Sequence, residues 1–138
     1  MALNVAVLEQ SFKTVAPRGD AFVAAFYARL FRAHPEVKPL FAHVNMAGQE
    51  KKLLGALVLA VKNLRRPDVL YPALREMGRR HAGYGTKPEH YEAVGGALLE
   101  TFSDFLGPEW TPEVKGAWVD AYASIASLML EGAGSPPS

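Results

Sequence analysis

The chain has 138 residues, of which 49% are hydrophobic, and this suits a single globular domain with a sizeable core. Its 15 basic and 14 acidic residues nearly balance, so net charge favours neither a nucleic-acid partner nor an anionic membrane surface. There is no cysteine, which excludes disulfides, thiolate zinc sites, iron–sulfur clusters and cysteine nucleophiles.

The N-terminal residues have no basic segment and their apolar run is broken early, so they do not resemble a signal peptide. The longest apolar runs elsewhere are far too short to cross a bilayer. We therefore expect a cytoplasmic protein.

The first third of the chain predicts two helices and a short helical turn. Apolar residues spaced three and four apart predict a first helix over about residues 4 to 15. A breaker rich in proline and glycine follows, and a second helix is predicted over about residues 20 to 33, with Asp20 as a candidate N-cap. Since the residue before a proline avoids helical geometry, this helix ends ahead of Pro35, which opens a short turn of helix to about residue 41.

Residues 42 to 47 are predicted to form a loop, and residues 48 to 64 a long helix. One face of that helix is apolar and includes Leu53. Gln49 begins the same face one turn earlier, so a polar side chain is set in an apolar stripe. Residues 65 to 68, which include a proline, separate this helix from the next.

The next helix carries an apolar stripe that ends in an imidazole. The stripe consists of Leu70, Leu74, Met77 and His81. Gly83 and Gly85 lie just beyond it, as glycines do past a helix C-terminus. On this pattern alone, His81 is either a core histidine bonded to a backbone carbonyl or an axial ligand to a haem iron.

A further helix begins near Thr86 and Glu89, which have capping-box spacing with a proline between them, and it stops at Gly107. Its apolar face includes Tyr91 and Val94. Both residues are therefore expected on the inner side of the helix.

Thr111 starts the last helix by similar chemistry, and Gly132 is predicted to end it. No segment has the alternating pattern of a strand, so the sequence predicts an all-α domain with about six long helices and one short one. The domain is expected to span residues 1–132. Residues 133–138 are expected to be a disordered tail or the start of a linker.

The sixteen residues FYARLFRAHPEVKPLF, from Phe26 to Phe41, closely resemble the pattern FYxxLFxxHPEVxPLF of bacterial haemoglobins. The nearest types are the Vitreoscilla haemoglobin type and the globin domain of flavohaemoglobins. The resemblance extends over about residues 4 to 132. It implies a globin fold around haem b, that is, iron protoporphyrin IX.

The resemblance also implies roles for individual residues near the haem. His81 matches the proximal iron ligand, while Tyr27 and Gln49 match the distal tyrosine and glutamine that stabilise oxygen. Leu53 matches the apolar residue one turn after that glutamine, and Phe41 matches the phenylalanine that packs on the haem face. The alternatives to these roles are that Tyr27 is a core tyrosine with its hydroxyl at the surface and that Gln49 is a solvated residue of a first helical turn.

Further pocket residues follow from the same comparison. Tyr91 matches the tyrosine near the proximal histidine, although by itself it is a plain core aromatic. Val94 is expected to line the pocket, and Arg80 stands where relatives often carry a lysine near a haem propionate. Flavohaemoglobins place a glutamate of the last helix beside that tyrosine, but here Ala133 occupies the position and the nearest acid is Glu131. The strong proximal electron donation of flavohaemoglobins is therefore not expected.

The function implied is reversible binding of oxygen and other diatomic ligands such as NO and CO, with a role in oxygen transport. A second hypothesis is a nitric oxide dioxygenase. It would need a separate reductase, because these residues include no flavin or nicotinamide domain. A third is a gas-sensor domain, and a fourth a haem-free helical interaction module. His43, in the loop before Gln49, is expected to be solvated, with a role as an alternative distal ligand left open. Neither nucleic acid nor a membrane is an expected partner.

Overall fold

The computed structural model describes residues 3–134. Across that range the chain forms six α-helices and three short 3₁₀ segments. The α-helices are α1 (Val5–Val15), α2 (Gly19–Ala33), α3 (Met46–Lys62), α4 (Pro67–Gly83), α5 (Pro88–Leu106) and α6 (Pro112–Gly134). The 3₁₀ segments are Ala16–Arg18, Pro35–Phe41 and Gly107–Glu109. All regular elements in the described range are helical, which confirms the all-α prediction.

Two helix starts differ from the sequence prediction. Asp20 lies in the first turn of α2 and does not cap it, because the 3₁₀ segment before Gly19 carries the helical backbone almost continuously from α1 into α2. The third helix begins at Met46, since the Asn45 side chain accepts a hydrogen bond from the Gly48 N–H (3.4 Å) and so caps it. The preceding loop is correspondingly shorter than predicted.

The start of α5 is also capped differently. Pro88 has no N–H to satisfy and occupies the first helical position, which makes Lys87 the cap residue. The Lys87 N–H donates to His90 Nδ1 (2.9 Å), so His90 takes the part predicted for Glu89. Thr86 belongs to the turn that closes α4, where its N–H donates to the His81 carbonyl (3.1 Å).

The last helix begins as predicted, since Thr111 Oγ1 accepts a hydrogen bond from the Val114 N–H (3.3 Å). The predicted end at Gly132 is wrong, because α6 continues through this residue to Gly134. Gly132 is buried within the helix. Residues 135–138, which carry most of the expected tail, lie outside the described range.

The main hydrophobic core joins α1, α2, α5 and α6. Phe22 of α2 packs on Phe102 of α5 with ring centroids 4.6 Å apart. The Trp118 ring of α6 also stacks on Phe102, with ring centroids 4.1 Å apart. The Trp118 indole N–H donates to Ser11 Oγ (2.8 Å), which ties α6 to α1 through a buried hydrogen bond.

The remaining two helices attach to different parts of this core. Helix α3 packs mainly on α2, whereas α4 packs almost entirely on α6, and α3 and α4 have no extensive contact with each other. A second hydrophobic cluster of buried residues joins α4 to its neighbours and consists of Ala60, Leu70, Leu74, Tyr91 and Met129. None of the helices in residues 3–134 has the length and hydrophobicity that a bilayer crossing requires.

Candidate functional site

The side chains of Tyr27 and Gln49 meet where α2 and α3 pack together. Gln49 Nε2 donates a hydrogen bond to Tyr27 Oη at 3.1 Å. Tyr27 is only 6% exposed, and burial raises the pKa of its hydroxyl, an effect that the hydrogen bond from Gln49 partly opposes. The hydroxyl therefore stays protonated at neutral pH. Within residues 3–134 its own proton has no acceptor, since the one hydrogen bond at this oxygen is the bond received from Gln49.

Aromatic rings fix the position of Tyr27. Its ring makes an edge-on contact with Phe41 at 5.7 Å and lies 5.9 Å from Phe31. Phe41 is half-buried at the end of the 3₁₀ segment after α2 and also packs on Phe31 at 5.3 Å. Leu53, one turn after Gln49, is half-buried against the same core. The structure thus brings together three of the residues singled out in the sequence, namely Tyr27, Gln49 and Phe41.

His81 lies in the last turn of α4 and is half-buried. Its Nδ1 is 2.7 Å from the Met77 carbonyl oxygen. A carbonyl oxygen can only accept, so Nδ1 carries the proton and donates it, which leaves Nε2 with a free lone pair. Such an imidazole has a fixed orientation and one nitrogen available as a metal ligand.

The structure does not bring His81 into contact with the Tyr27–Gln49 pair. The ring next to it is that of Tyr84, at 5.9 Å, and Tyr84 is 67% exposed. Sequence reasoning missed Tyr84 because it follows the helical stripe and shares no periodicity with it. The pair belongs to α2 and α3, whereas His81 belongs to α4, which packs mainly on α6.

Tyr91 is buried at 8% exposure, and its hydroxyl has no hydrogen-bond partner in the described part of the chain. Burial raises the pKa of this phenol. The carboxylate of Glu131 is not its acceptor. It pairs instead with Arg75 Nε on the exposed side of α4, at 2.9 Å. The side chain of Ala133, half-buried near the end of α6, has no group that can accept this hydrogen bond.

The backbone of Tyr91 is held more firmly than its hydroxyl. Tyr122 Oη donates to the Tyr91 carbonyl oxygen at 2.6 Å, and the Tyr122 ring lies directly over Gly95, where any Cβ would collide with it. Burial strongly raises the pKa of Tyr122, so this donor stays protonated. Helices α5 and α6 are thereby fixed relative to each other beside the second hydrophobic cluster.

The other predicted site residues lie apart from these contacts. Val94 is half-buried against the main core, whereas Arg80 and His43 are exposed. In residues 3–134 no three His, Asp or Glu side chains are grouped so that they could hold a metal ion by themselves. A metal at His81 would therefore need most of its ligands from a cofactor.

The chain is similar to known proteins over most of its length. The Globin family model matches residues 24–129. The chain is 36% identical over 134 residues to a flavohemoprotein of Rhodopirellula baltica, an alignment that covers 94% of this chain and 33% of that protein. It is 33% identical over 125 residues to a flavohemoprotein of Rhizobium meliloti, which covers 89% of this chain and 31% of the relative. A flavohemoprotein of Bacillus subtilis is 31% identical over 132 residues, with coverage of 92% and 32%. The chain spans about a third of the length of these curated relatives.

Proposed function

This chain belongs to the globin family, and on that premise we propose that it binds haem through His81 and holds a diatomic gas, chiefly oxygen, beside Tyr27 and Gln49. The iron of the haem supplies the coordination position at which the gas binds. Haem b is the proposed form, because covalent attachment of a c-type haem requires cysteine and this chain has none.

The donor set fits this group on the proximal side. His81 Nε2 has a free lone pair, while its Nδ1–H is held by the Met77 carbonyl at 2.7 Å. The carbonyl fixes both the tautomer and the plane of the ring, and this is the usual outer-shell arrangement of a metal-binding histidine.

The observation that carries the proposal is the uncommitted proton of Tyr27. A buried hydroxyl proton without an acceptor is unfavourable by about 1–3 kcal/mol, and a ligand that accepts its hydrogen bond removes this cost. The Tyr27 oxygen already accepts from Gln49, so its own proton remains available to an acceptor placed beside the pair. A polarised diatomic ligand is an acceptor of this kind.

Spectroscopy of the purified protein and two histidine variants tests the proposal. Wild type should take up one equivalent of haem and show a strong Soret band. His81→Ala should lose most haem affinity or leave a weakly bound, spectrally altered haem, because no other group shares its position on α4. His43→Ala is the matched control, since this exposed histidine precedes Gln49. A native spectrum in His81→Ala would refute the assignment of His81 as the iron ligand. Loss of the Soret band in His43→Ala would indicate that His43 is the iron ligand instead.

A second candidate function is nitric oxide dioxygenation, and the flavohemoprotein relatives favour it. In this reaction nitric oxide, oxygen and one electron combine to form nitrate. The chain contributes the Tyr27–Gln49 pair, and the electron has to come from a flavin reductase, whether a domain or a protein, that lies outside these 138 residues. We therefore expect the isolated, oxygen-saturated ferrous protein to consume one equivalent of nitric oxide and then stop as ferric protein. Sustained turnover with NADH and no added reductase would contradict this requirement.

A further inference from the structure

Helices α4 and α6 cross in direct backbone contact, and a glycine on each helix makes this possible. A Cβ on Gly78 of α4 would overlap the Met129 carbonyl of α6. A Cβ on Gly132 of α6 would overlap the Arg75 carbonyl of α4. Both glycines are buried. Each helix therefore presents a bare stretch of backbone to the other, and the separation of the two axes is set by main-chain atoms.

An ion pair marks the same crossing at the surface. Arg75 Nε lies 2.9 Å from Glu131 Oε1, and these residues flank the contact, because Arg75 supplies the carbonyl that meets Gly132. Both side chains are partly exposed, at 43% and 57%, so solvent screens the attraction. The pair thus adds to the register of the two helices, while the glycine contact determines how closely they approach.

The crossing lies next to the residues that orient His81. Met77, whose carbonyl holds His81 Nδ1, is adjacent to Gly78, and His81 follows Gly78 by three residues within the same helix. Because α4 packs almost entirely on α6, no other helix holds α4 in place to a comparable degree. A shift of the α4 backbone away from α6 would carry the imidazole with it.

We propose that Gly132 is a positioning residue for His81: its missing side chain lets α4 seat directly on α6, and this seating sets the height and tilt of the imidazole. The inference rests on the proposed function, because it assigns the position of the haem ligand. Close packing on α4 also gives a reason for a glycine inside α6, where the sequence predicts that Gly132 ends the helix.

The test compares two glycine-to-alanine substitutions on one helix. Gly132→Ala places a methyl group against the Arg75 carbonyl, whereas a Cβ at Gly116, also on α6, meets nothing within 4 Å. Resonance Raman spectra of the ferrous, ligand-free, haem-loaded proteins should show a shifted iron–imidazole stretch in Gly132→Ala and an unchanged one in Gly116→Ala. In the haem-free proteins, hydrogen exchange of the α4 amides should be at least about tenfold faster in Gly132→Ala only, which corresponds to roughly 1.4 kcal/mol.

A second pair of variants avoids the added methyl group, in case Gly132→Ala fails to fold. Arg75→Ala removes the ion pair to α6, and Arg79→Ala is its control, since Arg79 pairs with Glu76 inside α4 at 2.7 Å. A smaller shift of the iron–imidazole stretch is expected in Arg75→Ala than in Gly132→Ala, and none in Arg79→Ala. An unchanged stretch in a folded Gly132→Ala protein overturns the inference, as does an unchanged stretch in Arg75→Ala if Gly132→Ala does not fold.

The outcomes separate this inference from the proposed function. If wild type takes up no haem, the proposed function fails and the positioning role fails with it, while the exchange data still report whether Gly132 fixes α4 on α6. If haem binds normally and the glycine variants behave alike in both measurements, the proposed function stands and the inference is wrong.

Discussion

Replacement of Tyr27 by phenylalanine removes the hydroxyl beside the proposed gas site and leaves the ring in contact with Phe31 and Phe41. Oxygen becomes strongly polarised when it is coordinated to ferrous haem, so it accepts a hydrogen bond of the charge-assisted kind. Such a bond contributes about 1.5–3 kcal/mol. At 6% exposure Tyr27 is largely shielded from competing water, so we expect the full range to apply. The loss corresponds to about ten- to a hundredfold in affinity.

The assay is the rate of oxygen release, measured by stopped flow, because loss of a contact in the bound state acts mainly on dissociation. Tyr27→Phe should release oxygen at least about tenfold faster than wild type. Release of carbon monoxide should change less, since this ligand is less polarised when bound. Tyr71→Phe is the matched control, because it removes a phenol hydroxyl from an exposed side chain on α4 and should change neither rate.

Gln49 acts partly through the tyrosine, since its amide donates to Tyr27 Oη at 3.1 Å. Gln49→Leu should therefore speed oxygen release less than Tyr27→Phe does. The double variant should fall short of the sum of the two free-energy changes, because Gln49 acts partly through the hydroxyl that Tyr27→Phe removes. Unchanged oxygen release in Tyr27→Phe would mean that the hydroxyl points away from the gas, and the distal assignment would then be abandoned.

Three further outcomes are expected. Tyr91→Phe should raise the free energy of unfolding of the haem-free protein by about 1 kcal/mol in urea titrations, because it removes a buried hydroxyl that has no partner; a loss of stability would show that the hydroxyl is satisfied. Burial raises the pKa of Tyr27 and of Tyr122, so the folded state keeps protons that the unfolded chain releases above about pH 10. Stability from these groups should be fully present below that pH and decline above it, and a urea midpoint that stays constant up to about pH 11 would contradict this. The frequency of the iron–imidazole stretch in wild type should lie in the range of ordinary oxygen carriers. Ala133→Glu should raise this frequency, because the new carboxylate offers the Tyr91 hydroxyl an acceptor. A frequency in the peroxidase range in wild type would instead indicate that Glu131 supplies the carboxylate.

The helices could be predicted from the sequence because their inner faces repeat at the helical period and their starts carry recognisable chemistry. Leu70 and Leu74 are buried as their spacing requires, and Thr111 caps α6 as predicted. The prediction that Gly132 ends α6 is wrong because glycine is favoured in proteins for two different physical reasons. One is the need for an unusual backbone conformation past a helix end, and the other is close contact between two backbones. The second depends on a partner 57 residues earlier in the chain, at Arg75, which local sequence does not reveal.

In the candidate site, too, the local pattern predicts some residues, whereas other contacts depend on how the helices pack. Tyr27 and Gln49 were singled out as polar residues in apolar stripes, and the structure joins them in one hydrogen bond. The roles of the pocket residues, including His81, remain predictions. No periodicity pointed to the ion pair of Glu131 with Arg75 or to the place of Tyr84 beside His81, because these contacts depend on how helices and turns meet in three dimensions.

The buried indole of Trp118 provides an internal optical probe. At 5% exposure, stacked on Phe102 and bonded to Ser11, its ring is held in a dry environment, so its fluorescence should be blue-shifted in the folded chain and move to the red when the core opens. Porphyrins absorb where indoles emit, so uptake of haem should quench this emission without the red shift. With the second tryptophan, Trp110, replaced by phenylalanine, a single fluorescence titration would separate cofactor loading from unfolding.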